Sequence, residues 1–278
     1  ENLKLDISKT IKHAENLINQ GCHGVAILGS TGQAQLVSYG EKIKLIEKLS
    51  KSKLKKNFII GTGLNSLTDT ISFLNFCKSL GFNKFLVMPP AYYLYGDEDV
   101  KKFFKKLLEA VGDCKIVLYN FEKLCGYKFS IECVETLAKD FPEQIIGVKD
   151  SSYNLYEHLK IPNFSILPGS ELKLLRGLEI GCSGIITATC NVTANISRKV
   201  YDDFKKNTSQ TLNNKLCNVR SVFDKFNLIS GIHTYLAEHD RSYRNILPPC
   251  NLLNENDKKK LFEDLKKLNF ENNFLKVA

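Results

Sequence analysis

The sequence predicts an α/β fold of parallel βα units, and three observations carry that prediction. Short apolar runs alternate with amphipathic stretches along the first two thirds of the chain. Three junctions repeat one layout, Gly21-Cys22-His23-Gly24, Gly81-Phe82-Asn83-Lys84 and Gly181-Cys182-Ser183-Gly184. Each puts a glycine where a helix stops in the left-handed conformation and a strand follows. The third observation is the run Ile145-Ile146-Gly147-Val148, which has no polar alternation and ends on Lys149. A strand buried on both faces reads this way.

Taken in order, a helix is expected over residues 8–20. Strands are expected at residues 25–28, 58–61, 85–88, 116–119, 145–149, 164–167 and 184–187, with helical patterns between them. Ser38 with Glu41 reads as a capping box, and Ser66 with Asp69 as a weaker one. From about residue 195 onward the pattern is helical to the end. No G-x-G-x-x-G follows the first strand, and Gly61-Thr62-Gly63 lacks the rest of that fingerprint. Chemistry-capable residues follow several different strands, which favours a (β/α)8 barrel over a doubly wound sheet. Seven strands are one short of eight, so the first barrel strand is expected to be absent from this sequence. The expected division is a barrel over residues 1–194, and the last barrel helix with a C-terminal helical extension over 195–278.

The bulk numbers narrow the class. With 278 residues, 43% hydrophobic and 25% charged, the chain suits one large soluble domain. No apolar run has the length of a membrane span, and no leader pattern opens the chain. The formal charge of +9 raises nucleic acid as a partner. The lysines, however, sit on helix-like segments such as Lys101-Lys102, Lys105-Lys106 and Lys258 to Lys260, and no nucleic-acid-binding motif accompanies them. Solvated helix faces account for them. Nine cysteines without C-x-x-C or a Cys/His cluster exclude a zinc framework by pattern. Cys22, Cys77 and Cys182 read as small buried hydrophobes in a reducing, cytoplasmic compartment. No metal and no organic cofactor is implied, and no membrane.

Barrel active sites lie at strand C-termini. There the first expected strand is followed by Gly29-Ser30-Thr31-Gly32-Gln33, a turn that can present N–H groups and two hydroxyls to a carboxylate. The third is followed by Tyr92-Tyr93, the fourth ends in Tyr119-Asn120, and the fifth ends on Lys149. The sixth ends in Pro168-Gly169-Ser170-Glu171 and the seventh runs into Thr187-Ala188-Thr189. Each has a bland reading: a plain turn, a core tyrosine, a lysine pointing into water. Together they place an amine, phenols and a carboxylate-binding turn on one face. An amine at such a mouth forms an imine with a 2-keto acid, and a phenol moves the proton. Burial of that amine favours its neutral form.

At this point the chain resembles a known family. Gly29-Ser30-Thr31-Gly32, Tyr119-Asn120, Gly147-Val148-Lys149-Asp150-Ser151-Ser152 and Gly184 through Asn191 resemble the dihydrodipicolinate synthase / N-acetylneuraminate lyase family, in order and spacing, from about residue 5 to 261. The resemblance implies a (β/α)8 barrel, usually tetrameric, and a covalent imine in place of any cofactor. It makes Lys149 the Schiff-base lysine and Tyr119 the proton-shuttling phenol. Ser30 and Thr31 become the hydroxyl pair at the keto-acid carboxylate, with Gly29, Ser151, Gly169, Glu171 and Ile186 as further substrate contacts. Tyr93, with Tyr92 as its rival, matches the tyrosine that the synthases lend across a dimer interface. The implied partners are pyruvate or another 2-keto acid, a small aldehyde and further copies of the chain as a dimer of dimers.

One departure bears on the aldehyde. The synthases carry an arginine a few residues after the strand-four tyrosine. Here the segment is Tyr119-Asn120-Phe121-Glu122-Lys123-Leu124-Cys125-Gly126-Tyr127, and Leu124 holds that place. Loss of a bidentate carboxylate clamp argues against aspartate semialdehyde. Gly126-Tyr127 resembles the 2-keto-3-deoxygluconate aldolases instead. The loop Gly169-Ser170-Glu171-Leu172 keeps only part of the sugar-binding pair of the neuraminate lyases. The expected function is therefore a class I aldolase acting on a 2-keto-3-deoxy sugar acid. A dihydrodipicolinate synthase with a displaced contact, such as Lys123, and a catalytically idle keto-acid-binding barrel are the alternatives.

Overall fold

Helix α1 (Ile7–Asn19) is capped by Asp6, whose carboxylate accepts the Lys9 N–H, and it turns its apolar side inward through Ala14 and Leu17. The structure, a computed structural model, describes residues 3–270. Six parallel strands follow α1 in the order of the sequence: β1 (Val25–Ile27), β2 (Phe58–Gly61), β3 (Lys84–Val87), β4 (Lys115–Asn120), β5 (Ile145–Asp150) and β6 (Ser165–Pro168). Between them run α2 (Tyr39–Leu49), α3 (Leu67–Ser79), α4 (Asp97–Val111), the short α5 (Glu122–Cys125) and α6 (Ile131–Asp140). The glycines at the three repeated junctions, Gly21, Gly81 and Gly181, all have positive φ, as the chain reversal requires. Ser38 and Ser66 cap α2 and α3 as the sequence implies.

Strand alternation sorts the side chains into two cores. Ile27, Ile60, Phe85, Val87, Ile116, Leu118 and Val148 pack outward against the helices. Ala26, Ile59, Leu86, Val117, Tyr119, Ile146 and Leu167 form a smaller cluster on the concave face. A curved parallel sheet with its helices on the outer side is a half-barrel.

The seventh expected strand does not form. Residues 184–187 run extended beside β6, held by Ser183 N–H to Ile166 O (3.0 Å) and Ile186 N–H to Pro168 O (3.2 Å). Among the described residues no strand lies on its far side, so a full ladder is not built. An open cavity separates β1 from this segment.

After β6 come α7 (Leu174–Glu179), α8 (Cys190–Lys205), α9 (Asn213–Phe223), α10 (Leu228–Ala237) and α11 (Glu255–Lys267). The last four pack around Val192, Val219, Phe223, Tyr235 and Leu261. The helical pattern begins at Cys190, five residues before the sequence places it, and residues 271–278 of the expected helical region lie outside the described residues. No helix among the described residues is long and apolar enough to cross a membrane. Cys77 and Cys182 are buried thiols, and burial pushes Cys77 up to about 12. Cys22 departs from the expectation: it is a free thiol, only half-buried, and a hydrogen bond with the Cys190 thiol lowers its pKa.

Candidate active site

A bulge decides which way Lys149 points. Ile145 pairs with Ile116 and packs outward, so strict alternation along β5 would send residue 149 outward as well. The register instead slips between Ile116 and Val117: Val117 pairs with Gly147, and Ile146 is the extra residue. Beyond it Val148 faces the helices and Lys149 faces the concavity, paired with Tyr119. Gly147 permits the slip, because a Cβ there would stand 2.5 Å from Ser165 O on β6.

Lys149 is buried, with 9% of its surface exposed. Its ammonium nitrogen lies 4.0 Å from the Tyr119 ring centroid. Among the described residues it makes no hydrogen bond to a carboxylate or carbonyl. The Tyr119 hydroxyl is 3.1 Å from Ser30 Oγ, which comes from the turn after β1. Amine, phenol and hydroxyl thus converge from three different strand ends. Gly29, Ser30, Thr31, Lys149 and Ile186 line one cavity, and Gly29 and Ser30 also line a small recess that reaches Tyr119 and Thr62.

The next residue along each strand does the opposite kind of work. Asp150 is fully buried and its carboxylate accepts four hydrogen bonds: from Asn120 Nδ2 and from the backbone N–H groups of Tyr153, Leu155 and Tyr156. Asn120 also donates to Asn154 and accepts from Phe129 N–H. This clamp locks the ends of β4 and β5 together and fixes Lys149 beside Tyr119. The carboxylate's role was not read from the sequence, because a strand-end aspartate carries no local sign of its partners.

Several expected contacts fall elsewhere. Glu171 is fully buried and faces α9, not the cavity: it pairs with Arg220 (3.0 Å) and accepts from Thr187 and Thr193 hydroxyls. A buried carboxylate needs such partners, and they consume it. Arg220 was missed, although an arginine set among Leu216, Val219, Val222 and Phe223 at helical spacing signals a buried charge. Gly169 and Ser151 pack on one another, since a Cβ on Gly169 would stand 2.3 Å from Ser151 Oγ, and neither lines the cavity. Tyr93 and Tyr92 are exposed, at 73% and 88%, packed edge-to-face on one another, and neither lines the cavity or the recess. Glu122, Lys123 and Leu124 are exposed on α5, outside both the cavity and the recess.

The cavity's other wall was not anticipated. His13, Gln33, Asn191, His233 and Tyr243 line it as one hydrogen-bonded chain. Burial holds both histidines below the ordinary imidazole value. Among the described residues no group of three or more His, Cys, Asp or Glu is placed to hold a metal ion.

A half-barrel of parallel strands with its polar groups at the strand C-termini is a TIM-barrel-like α/β protein. The model of the dihydrodipicolinate synthetase family matches residues 1–268. A 4-hydroxy-tetrahydrodipicolinate synthase of Hydrogenobaculum sp. is 30% identical over 281 residues, 97% of this chain and 95% of that one. An uncharacterised DapA-like lyase of Chloroflexus aurantiacus is 33% identical over 195 residues, 68% of this chain and 65% of its own length. Among solved structures, YagE of E. coli K12, a prophage protein of the dihydrodipicolinic acid synthase family in complex with pyruvate, superposes with a TM-score of 0.86 at 23% identity, covering 96% of this chain and 93% of that one. Dihydrodipicolinate synthase of Thermotoga maritima gives 0.87 at 20% identity, covering 97% and 95%. The chain belongs to the dihydrodipicolinate synthetase family. It is a carbon–carbon lyase.

Proposed function

We propose that this lyase is a class I aldolase that joins or cleaves pyruvate and an aldehyde through an imine on Lys149. The observation that carries the reading is the Lys149 amine, which meets no hydrogen-bond acceptor among the described residues, over the ring of Tyr119, whose hydroxyl reaches Ser30. The amine attacks the keto carbon, and the carbinolamine oxygen leaves as water once protonated. The iminium draws electrons from C3, which loses a proton to give the enamine. The enamine carbon attacks the aldehyde, whose oxygen takes a proton, and water then hydrolyses the imine. The Tyr119–Ser30 pair serves as the proton conduit, and the Gly29–Thr31 turn holds the carboxylate. The YagE complex with pyruvate supports the choice of keto acid.

For the aldehyde we favour a 2-keto-3-deoxy sugar acid as the condensed substrate. The residue in the place of the synthase arginine is the exposed Leu124, and neither it nor Lys123 lines the cavity. The reading as a dihydrodipicolinate synthase draws its support from the name of the Hydrogenobaculum relative. Tyr92, Tyr93 and Leu94 form an exposed apolar group, which supports assembly with a second copy that receives Tyr93. A closed (β/α)8 barrel and a cytoplasmic setting complete the reading.

The test is incubation with pyruvate and borohydride, followed by intact mass and peptide mapping. A reduced adduct on Lys149 is expected, and an unmodified Lys149 overturns the aldolase reading. Glyceraldehyde and aspartate semialdehyde are then compared as acceptors; turnover of the semialdehyde alone overturns the sugar-acid assignment.

A further inference from the structure

Gln33 closes the turn that carries Ser30 and Thr31. Its N–H donates to Ser30 O (3.0 Å), and its backbone sits in the left-handed region at φ 55°, where a side chain is strained unless anchored. Both ends of its amide are anchored. Oε1 accepts the Leu247 N–H at 2.8 Å, and Nε2 meets His233 Nε2 at 3.2 Å. Thus the turn is tied to α10 and to the segment after it, 200 and 214 residues away in sequence.

The protonation states in this tie are fixed by geometry. The Tyr243 carbonyl lies 2.8 Å from His233 Nδ1 and can only accept, so Nδ1 carries the proton. Nε2 is then the acceptor for the Gln33 amide. The amide cannot be reversed, because Oε1 is needed by Leu247. His233 must therefore be neutral: an added proton on Nε2 would face the Gln33 NH2, donor against donor. The titratable and charged neighbours are His13 and Lys9 of α1, Asp240, to which Lys9 is paired, and Arg241, Tyr243 and Arg244 of the turn that follows it. His13 Nδ1 bonds the Tyr243 hydroxyl at 2.8 Å, and the Lys9 ammonium lies 4.9 Å from the Tyr243 ring centroid. His13 and His233 disfavour a second positive charge beside one another, and Lys9 disfavours one on His13.

We propose that Gln33 and His233 are positioning residues for the keto-acid site: neutral His233 holds the Gly29–Gln33 turn so that Ser30 reaches Tyr119, and protonation of His233 releases it. The consequence for turnover rests on the imine reading above; the coupling of His233 to the turn does not. Loss of one buried hydrogen bond lowers occupancy of the held state by about tenfold.

Two variants separate the tie from general packing. In Gln33→Glu the carboxylate accepts from Leu247 N–H and from an imidazolium alike, so the acid form is no longer in conflict. In His233→Gln an uncharged acceptor replaces one that titrates. Imine trapping with pyruvate and borohydride, followed from about pH 8 to about pH 5, is expected to fall about tenfold further in the wild type than in either variant. The readout is the ratio of acid to neutral trapping, not its level. In parallel, backbone amide NMR signals of Ser30, Gly32 and Leu247 should shift along the His233 titration in the wild type and stay still in His233→Gln. Amides that ignore the His233 titration overturn the proposal. So does an acid limb unchanged in both variants. Moving amides without any pyruvate adduct would instead overturn the aldolase reading and leave the tie standing.

Discussion

Two lysines are buried among the described residues, and of these Lys149 has the surroundings of a nucleophile. Lys42 of α2 is 1% exposed, and its ammonium donates to the carbonyls of Thr62 and Gly63, each at 3.0 Å. Lys149 of β5 is 9% exposed and lies over a phenol ring, with no such acceptor among the described residues. Burial lowers Lys42 to about 8, yet its proton-bearing nitrogen is spent on two carbonyls that would otherwise be unpaired. Its work is to hold the segment after β2. The comparison teaches that burial of an amine is not enough for chemistry. What matters is whether its hydrogen-bonding capacity is already used. The same contrast separates Glu171, consumed by Arg220, from a carboxylate free to meet a substrate.

The largest effect that sharpens this contrast is removal of each amine in turn. Lys149→Met should abolish both the borohydride-trapped adduct and turnover, while Lys42→Met keeps the adduct. An adduct that moved to Lys42 would break the comparison. Next comes Tyr119→Phe, which keeps the ring under the amine but removes the hydroxyl bonded to Ser30. Turnover should fall by about 10²–10⁴, the scale of a lost proton relay, with a much smaller change in the affinity for pyruvate.

Stability effects follow. Arg220→Ala leaves Glu171 buried without its counter-ion and should cost about 3–5 kcal/mol in denaturant unfolding. A cost below about 1 kcal/mol would show that Glu171 finds another partner and is not consumed by structure. The smallest effect is in pH. Lys42 is near 8 when folded and near the ordinary lysine value when unfolded. Between about pH 8 and about pH 10 the unfolded chain holds a proton that the folded chain has shed, so stability rises with pH across that window and not below it. Lys42→Met should lose this slope and leave two carbonyls unpaired, a cost of about 1–3 kcal/mol that widens toward the alkaline end.

Much of the frame was legible in the residues. The glycine junctions announced parallel βα units, because left-handed helix ends are a local backbone property. The apolar run into Lys149 announced a buried strand end. The seventh strand was misread: Gly184 to Thr187 has the right composition, but ladder formation depends on a neighbour. Glu171 was misassigned because sequence shows a carboxylate near a strand end and not the arginine of α9 that faces it. The Gln33–His233 tie joins residues 200 apart and leaves no pattern in either segment.

By itself, then, the sequence determined the order of elements and which residue types stand at the strand ends, since periodicity and turn chemistry act over a few neighbouring residues. Tertiary structure alone decided which of those residues face one another. The bulge at Ile146 turns Lys149 inward, and the turn after β1 brings Ser30 to Tyr119. It also decided which buried charges are already satisfied, because hydrogen bonds and ion pairs are settled by distance in space, which the order of residues along the chain does not specify.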